Sequence, residues 1–191
     1  MKATGLILST GVTVTHVSTL HDQISNTLST SLGKWGFEYK LYRQNPASSG
    51  EEAKEPTFLY ALHFAHYPGE TFCLTNGTGS VLQGDFDAML NTKLQSLWLH
   101  RQTIKGEGNA YELNGGEIVL RVGNIFLQGT FKGLLVEVEY NSNDDESLDP
   151  ESIINKMNET LAQFNLAIPP TAKLGFSKLD TAWRYVDTIN R

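Results

Sequence analysis

Apolar residues recur along this chain with two different periods, and the switches between them lay out the expected elements. Ala3–Ser9 reads as a strand. From His16 to Leu32, the residues Val17, Leu20, Ile24, Leu28 and Leu32 return at three- and four-residue steps, the spacing of one helical stripe. Thr15 is the expected N-cap and Gly33 the expected stop. Trp35, Phe37, Tyr39 and Leu41 then alternate with Gly36, Glu38 and Lys40, the period of a half-buried strand. Gln44–Pro56 is loop by composition. Thr57–Tyr67 is a long strand with Phe58, Tyr60, Leu62 and Phe64 on one face. Pro68-Gly69 turns it into Glu70–Thr75, and the Asn76–Gly79 cluster makes the next turn.

Asp85 is expected to cap a second helix running to about His100, with Phe86, Leu90, Leu94, Leu97 and Ile104 on one stripe. Trp98 flanks that stripe and Leu99 points nearly opposite. Arg101 falls within it if the helix continues that far, and is expected to be buried and bonded to a carboxylate or to helix-end carbonyls unless the helix ends first. Further on come Ala110–Leu113, a turn at Asn114–Gly116, and two long strands, Glu117–Leu127 and Phe131–Tyr140. Gly123 suggests a bulge or bend inside the first of these. Asp149-Pro150 opens a helix striped by Ile153, Met157, Leu161 and Phe164, and Pro169-Pro170 ends it. Ser177 with Asp180 approximates a capping box for a final helix through Asn190. That helix carries a broad apolar face (Leu179, Ala182, Trp183, Tyr185, Val186, Ile189). Some apolar surface is expected to stay exposed, so that the isolated chain self-associates or expresses poorly.

The pattern predicts one α+β domain over residues 1–191: an antiparallel β-barrel of about eight strands flanked by about four helices. Flexible loops are expected at about residues 44–56 and 141–149. Strand–helix alternation is too irregular for a doubly wound sheet.

Composition adds limits. At 191 residues and 40% hydrophobic content the chain can bury a core without staples, and its single cysteine, Cys73, excludes an internal disulfide. Of the net charge of −6, −5 lies in Asn141–Glu151 and −2 in the run Glu51, Glu52, Lys54, Glu55. The remaining body is nearly neutral, which does not suit gripping a phosphate backbone, so no direct nucleic-acid binding is expected. No apolar run approaches the roughly 18–20 residues of a membrane span, and no signal peptide is visible. The sequons at Asn76 and Asn158 are then chance matches, and the chain reads as cytosolic or nuclear.

Motifs for chemistry are scarce. Gly77-Thr-Gly79 reaches its third glycine at Gly84, two residues late for a dinucleotide fingerprint, and Gly33-Lys34 lacks the rest of a phosphate loop. His63 and His66 are three apart on a strand pattern, which places them on opposite faces, one toward the core and one toward solvent. Cys73 reads as a small buried hydrophobe. Glu137 and Glu139 share a face, and could hold a metal for phosphate hydrolysis with Arg121 and Lys132 meeting the phosphates. A metal tunnel needs carboxylates from several strands, however, and here the alternation instead sends Val136, Val138 and Tyr140 inward. Glu137 and Glu139 are therefore expected to face water.

One stretch is more specific. Thr92–Gly106 contains Lys-Leu…Trp98…Arg101-Gln-x-Ile-Lys105-Gly, followed by Arg121-Val-Gly-Asn124 and then Phe131-Lys-Gly-Leu-Leu-Val-Glu137. These ordered blocks resemble the family of subunit 20 of the Mediator complex of RNA polymerase II transcription, over roughly Lys93–Tyr140. The resemblance implies a non-enzymatic, nuclear head-module subunit without catalytic residues or cofactors, built as a β-barrel flanked by helices. It also implies pairing with Mediator subunit 18, tethering of that pair through the C-terminal segment of subunit 8, and contact with TATA-binding protein. Trp98, Arg101, Lys105, Phe126 and Phe131 are the candidate interface or fold-signature residues. The rival reading is the phosphohydrolase built on Glu137 and Glu139.

Overall fold

The structure, a computed structural model, describes residues 2–49, 55–143 and 149–190. One antiparallel sheet dominates it: β1 Lys2–Ser9, β2 Ser29–Gln44, β3 Phe58–Phe64, β4 Glu70–Thr75, β5 Thr78–Gln83, β6 Trp98–Leu113, β7 Ile118–Leu127 and β8 Thr130–Asn141. The strand order β1-β8-β7-β6-β2-β3-β4-β5 leaves β1 and β5 as edges. The sheet therefore curls into a half-barrel without closing. Five helices accompany it among the described residues: α1 Val14–Ser25, α2 Pro46–Ser49, α3 Phe86–Asn91, α4 Pro150–Leu161 and α5 Lys178–Ile189. The α+β class and eight strands match the sequence pattern. The loops expected at 44–56 and 141–149 lie in part outside the described residues. Of the first, Gln44 belongs to β2 and Pro46–Ser49 to α2.

Both sheet faces are covered, each by a different layer. On the concave side α5 lies along the trough, where Ala182, Tyr185 and Val186 meet Trp35, Phe37, Tyr39, Leu62, Phe64, Phe72, Leu74 and Leu135. The ring of Tyr185 stands edge-on to Phe64 and Phe37, with centroids 4.8 and 5.1 Å away. Such aromatic contacts add to the burial of area itself. Much of the apolar face of the final helix is thus taken up inside the half-barrel, with Leu179, Trp183 and Ile189 half-buried at its margins. Ser177 caps α5 by accepting from the Asp180 amide, and Asp180 accepts in return from the Phe176 amide.

On the convex side α1 and α4 cover β1, β8, β7 and the end of β6. Ile153, Met157, Leu161 and Phe164, the stripe expected of α4, are all buried there with Val136, Val138 and Tyr140. Asp149 caps α4 as expected. The chain leaves through Asn165, whose φ is 56°. It is clamped back by Asn158, whose side chain both donates to the Ile168 carbonyl and accepts from its amide.

Three helices are shorter than the sequence pattern suggests. One is α4, which stops at Leu161, with Phe164 in a following 3-10 turn, rather than running to Pro169-Pro170. The first helix runs from Val14, capped by Thr13 rather than Thr15, and ends at Ser25. Leu28 and Leu32 fall outside it and are exposed. Leu32 is the extra residue where the β2–β6 register slips between Ser31 and Gly33. The second helix stops at Asn91, and Trp98–Arg101 belong to β6 instead. The physical reason is pairing: this start of β6 hydrogen-bonds along β2, with β7 joining on the other side from Ile104 onward, and that ladder outweighs helical periodicity.

Glycines set where the sheet lets aromatic rings approach. The Phe37 ring sits where a Cβ on Gly106 would stand, at 2.1 Å, and the Trp35 ring lies 3.0 Å from the corresponding point on Gly123. The β7 register is continuous through Gly123 and slips only between Ile125 and Phe126. Gly123 is therefore a packing seat, not a bulge. A Cβ at Gly108 would lie 1.7 Å from the Val122 carbonyl oxygen, which is backbone and cannot step aside. Gly108→Ala should therefore destabilise the fold by about 3 kcal/mol or more, read by urea denaturation. A change below about 0.5 kcal/mol would contradict this close approach.

Candidate functional site

The buried charges come first because they bear on catalysis. Glu137 and Glu139 do share a face of β8, but it is the concave one, beneath α5. Glu137 is 1% and Glu139 5% exposed, so the expectation that they face water is overturned. Alternation along one strand reports only that its two faces differ, and here a helix covers the second face as well. Arg121, paired with Glu137 across the β7–β8 ladder, donates through Nη1 to both carboxylates. The Tyr185 hydroxyl donates to Glu137 Oε1 at 2.9 Å, and Lys2 Nζ meets Glu139 Oε1 at 2.9 Å. Every oxygen of the two carboxylates therefore has a protein donor.

The electrostatics follow from that geometry. Burial pushes the Glu139 carboxyl up, but Arg121 and Lys2 together outweigh it and hold the group below the ordinary carboxylate range. Complete burial raises Glu137, against the pull of Arg121. His66 lies alongside, its Nε2 4.0 Å from Glu137 Oε2, while its Nδ1 accepts from Trp35 Nε1 at 3.0 Å. A ring that accepts at Nδ1 carries its proton on Nε2, facing the carboxylate. Burial first, and then the Arg121 charge, lower His66 to about 3. His66 is thus a neutral core histidine.

This donor set does not suit a metal. The guanidinium of Arg121 occupies the position between the carboxylates that a cation would need, and Tyr185 and Lys2 take the remaining oxygens. Lys132, the second proposed phosphate ligand, is exposed, as the extra residue where Ile125 pairs with Gly133 and Phe126 with Phe131. Cys73 is held as an unreactive thiol, pushed up to about 12 by burial and by Asp87.

His63 and His66 do fall on opposite faces. His63 lies on the convex side, its Nε2 2.8 Å from Asp87 Oδ2, and Lys40 Nζ reaches the same oxygen at 2.9 Å. Asp87 belongs to the first turn of α3, so this cluster pins that helix to β2 and β3.

Four of the five candidate interface residues come together at one end of the sheet. Arg101, Lys105 and Phe126 line an open groove of about 610 Å³ with His100, Glu107 and Gln128. Phe131 stands edge-on to Phe126, centroids 6.1 Å apart. Arg101 is exposed, contrary to the expected burial, because it is the extra residue of a bulge: Leu41 pairs with Gln102 and Tyr42 with His100. A bulge re-aims a side chain out of the ladder. Trp98 lies apart, half-buried against the cluster of Tyr42, Leu59, Ala61 and Leu90. The sequence reading missed Tyr185, His66 and Lys2 as partners of the carboxylates. One signal was available. Arg121 interrupts the apolar run Ile118–Val122, and a cation there demands buried carboxylates.

Two outcomes are expected of the buried network. Arg121→Ala leaves two buried carboxylates uncompensated and should cost about 3–5 kcal/mol in denaturant unfolding, with Lys132→Ala within about 0.5 kcal/mol of the parent. Loss of less than about 1 kcal/mol on Arg121→Ala would contradict the network. His66 is neutral in the fold but takes up a proton when unfolded below its ordinary value of 6.5. Its contribution is therefore fully present above 6.5 and is lost as pH falls toward 3, at up to about 1.4 kcal/mol per pH unit. Stability measured from pH 7 to 4 should fall less steeply in His66→Gln than in the parent. Identical slopes would show that His66 is protonated in the fold.

Comparison with known proteins places this geometry. The family model described as the TATA-binding related factor of subunit 20 of the Mediator complex matches residues 2–190. A Mediator of RNA polymerase II transcription subunit 20 from Yarrowia lipolytica is 38% identical over 161 residues, covering 69% of this chain and 74% of that protein. Its counterpart from Debaryomyces hansenii is 31% identical over 217 residues, covering 92% and 90%. A chain of the solved Schizosaccharomyces pombe Mediator head module is 12% identical, with a TM-score of 0.43 over 91% of this chain and 98% of that one. With a family match running along almost its whole length, the chain belongs to the family of Mediator subunit 20.

Proposed function

We propose that this protein is a non-enzymatic subunit of the Mediator coactivator in the nucleus, where it serves RNA polymerase II transcription as a scaffold of the head module. The observation that carries the reading is the family match across residues 2–190. The interior agrees with it. The concave face, where a barrel enzyme would hold substrate, is filled by α5, and its charges are neutralised among themselves.

In this reading the chain pairs with Mediator subunit 18, and the C-terminal segment of subunit 8 tethers the pair to the complex. The contact face is the end of the sheet that carries Arg101, Lys105, Phe126 and Phe131. Support comes from its composition. Exposed cations beside an edge-stacked pair of phenylalanines join the two residue classes, Arg and aromatic, that are enriched in the centres of protein interfaces. Trp98 stabilises the fold from beneath, against Leu90. TATA-binding protein is reached from the assembled pair.

Affinity purification of the tagged chain should recover Mediator head subunits, with subunit 18 at one-to-one stoichiometry. Arg101→Glu combined with Lys105→Glu should reduce recovery of subunit 18 by about ten-fold, some 1.4 kcal/mol. Unfolding free energy should stay within about 1 kcal/mol of the parent, because both side chains are exposed. Undiminished recovery would move the interface elsewhere. A lone monomer with metal-dependent phosphatase activity would overturn the reading itself.

A further inference from the structure

The edge strand β1 has an unfinished side. Its pairing with β8 runs without a bulge from Lys2 to Ser9. On the opposite side, Thr4 exchanges both main-chain hydrogen bonds with Gly175, each 2.8 Å long. Thr4 therefore turns its amide and carbonyl away from β8, and the two-residue repeat of a strand turns those of Leu6 and Leu8 the same way. Among the described residues no main-chain or side-chain group hydrogen-bonds to the amide or carbonyl of Leu6 or Leu8 on that side. The Gly175 bridge shows that the edge already accepts an extended residue. Beyond it the outer side is open.

A groove of about 1030 Å³ lies along this open stretch, between β1, the segment after α4 and the last turns of α5. Its two walls differ in chemistry. Leu6 and Leu8 face the concave side, and a residue paired with either of them would point toward Arg184 and Asp187 of α5. Ile7 faces the convex side, where Pro169 and Ala172 line the groove. Arg184 is poorly satisfied. Its Nε is buried with no acceptor, and its ion pairs with Asp180 and Asp187 are long, at 3.8 and 3.4 Å. With Lys173 on the rim, the groove carries more positive than negative charge in a chain whose net charge is −6. The shape calls for an added strand and the charge for a carboxylate.

We propose that this edge takes up an extended segment of a partner protein by strand addition at Leu6 and Leu8. The segment presents an Asp or Glu to Arg184 and apolar side chains on either side of it to Pro169 and Ala172. Main-chain hydrogen bonds supply the affinity, and the alternation of acid and apolar side chains supplies the specificity. From Leu6 to Thr10 the edge admits about four or five residues at about 3.3 Å each. The inference rests on the edge geometry and on Arg184. It is independent of the Mediator reading and involves a different surface from Arg101 and Lys105.

The test uses the purified full chain and the peptide acetyl-Thr-Val-Glu-Val-Thr-amide, followed by amide hydrogen exchange resolved by NMR. In the chain alone, the Leu6 and Leu8 amides should exchange much faster than those of Gly5 and Ile7, which face β8. Saturating peptide should slow Leu6 and Leu8 by about ten-fold or more, the expected mark of new main-chain bonds. Replacing Glu by Gln in the peptide should weaken binding about ten-fold to the parent chain and by much less to Arg184→Gln, a coupling that lost folding would not produce. A peptide N-methylated on the edge-facing amides should fail to bind. Four results would each overturn the proposal: Leu6 and Leu8 already protected in the dilute free chain, protection that grows with chain concentration alone (a second copy on the edge), no binding at millimolar peptide, or binding that perturbs other residues and leaves these two untouched.

Discussion

A sheet that curls without closing must fill its own trough, and here α5 does so. Everything on the concave side is arranged around that one helix: Tyr185 stands against Phe37 and Phe64, Ala182 lets the backbone come close, and the two sheet edges are left on its flanks. Docking the helix forces Glu137, Glu139 and Arg121 out of water together. Buried charges are costly unless each is paired and hydrogen-bonded, and the lattice of Arg121, Tyr185 and Lys2 meets that requirement. The same act that completes the core removes the site a barrel enzyme would use.

The sequence made some of this legible and hid the rest for a definite reason. Period and capping are local, and several readings built on them hold: the Asp149 cap and the Ile153, Met157 and Leu161 stripe of α4, the Ser177–Asp180 cap of α5, the Trp35–Tyr39 alternation, and the β7 and β8 strands. Pairing and layering are not local. Leu94, Leu97 and Ile104 continue a helical stripe begun at Phe86, yet β6 starts at Trp98 because β2 offers it a ladder from Gln44 onward, which β7 joins on the other side only from Ile104. Arg101 looked buried on a helix and is exposed in a bulge. Glu137 and Glu139 looked exposed on a one-sided strand and are buried under a helix some forty residues further on. Each reversal comes from a contact at long sequence separation that a single strand's pattern cannot encode.

The family resemblance succeeded where geometry did not because its blocks record the outcome of those contacts. Gly106 and Gly123, both inside the recognised stretch, are seats for Phe37 and Trp35, and Arg121 is the counter-ion of the buried carboxylates. Lys105 and Phe131 lie in the same blocks and Phe126 between two of them; Lys105 and Phe126 line one groove, with Phe131 edge-on to Phe126. The blocks thus mix residues that close the interior with residues that dress one end of the surface. This division suits a scaffold, in which a sealed and rigid body carries contact faces on its rim.

The claim that the interior is sealed can be tested most directly by native-state hydrogen exchange of the α5 amides in the isolated chain. If α5 is the permanent filling of the half-barrel, the innermost amides, at Tyr185 and Val186, exchange only through global unfolding. Their opening free energy then equals the value from denaturant titration. If α5 instead opens sub-globally, several kcal/mol below the global value, Arg121, Glu137 and Glu139 are periodically exposed as an accessible charged trough. The account of this fold as a closed scaffold would then be contradicted.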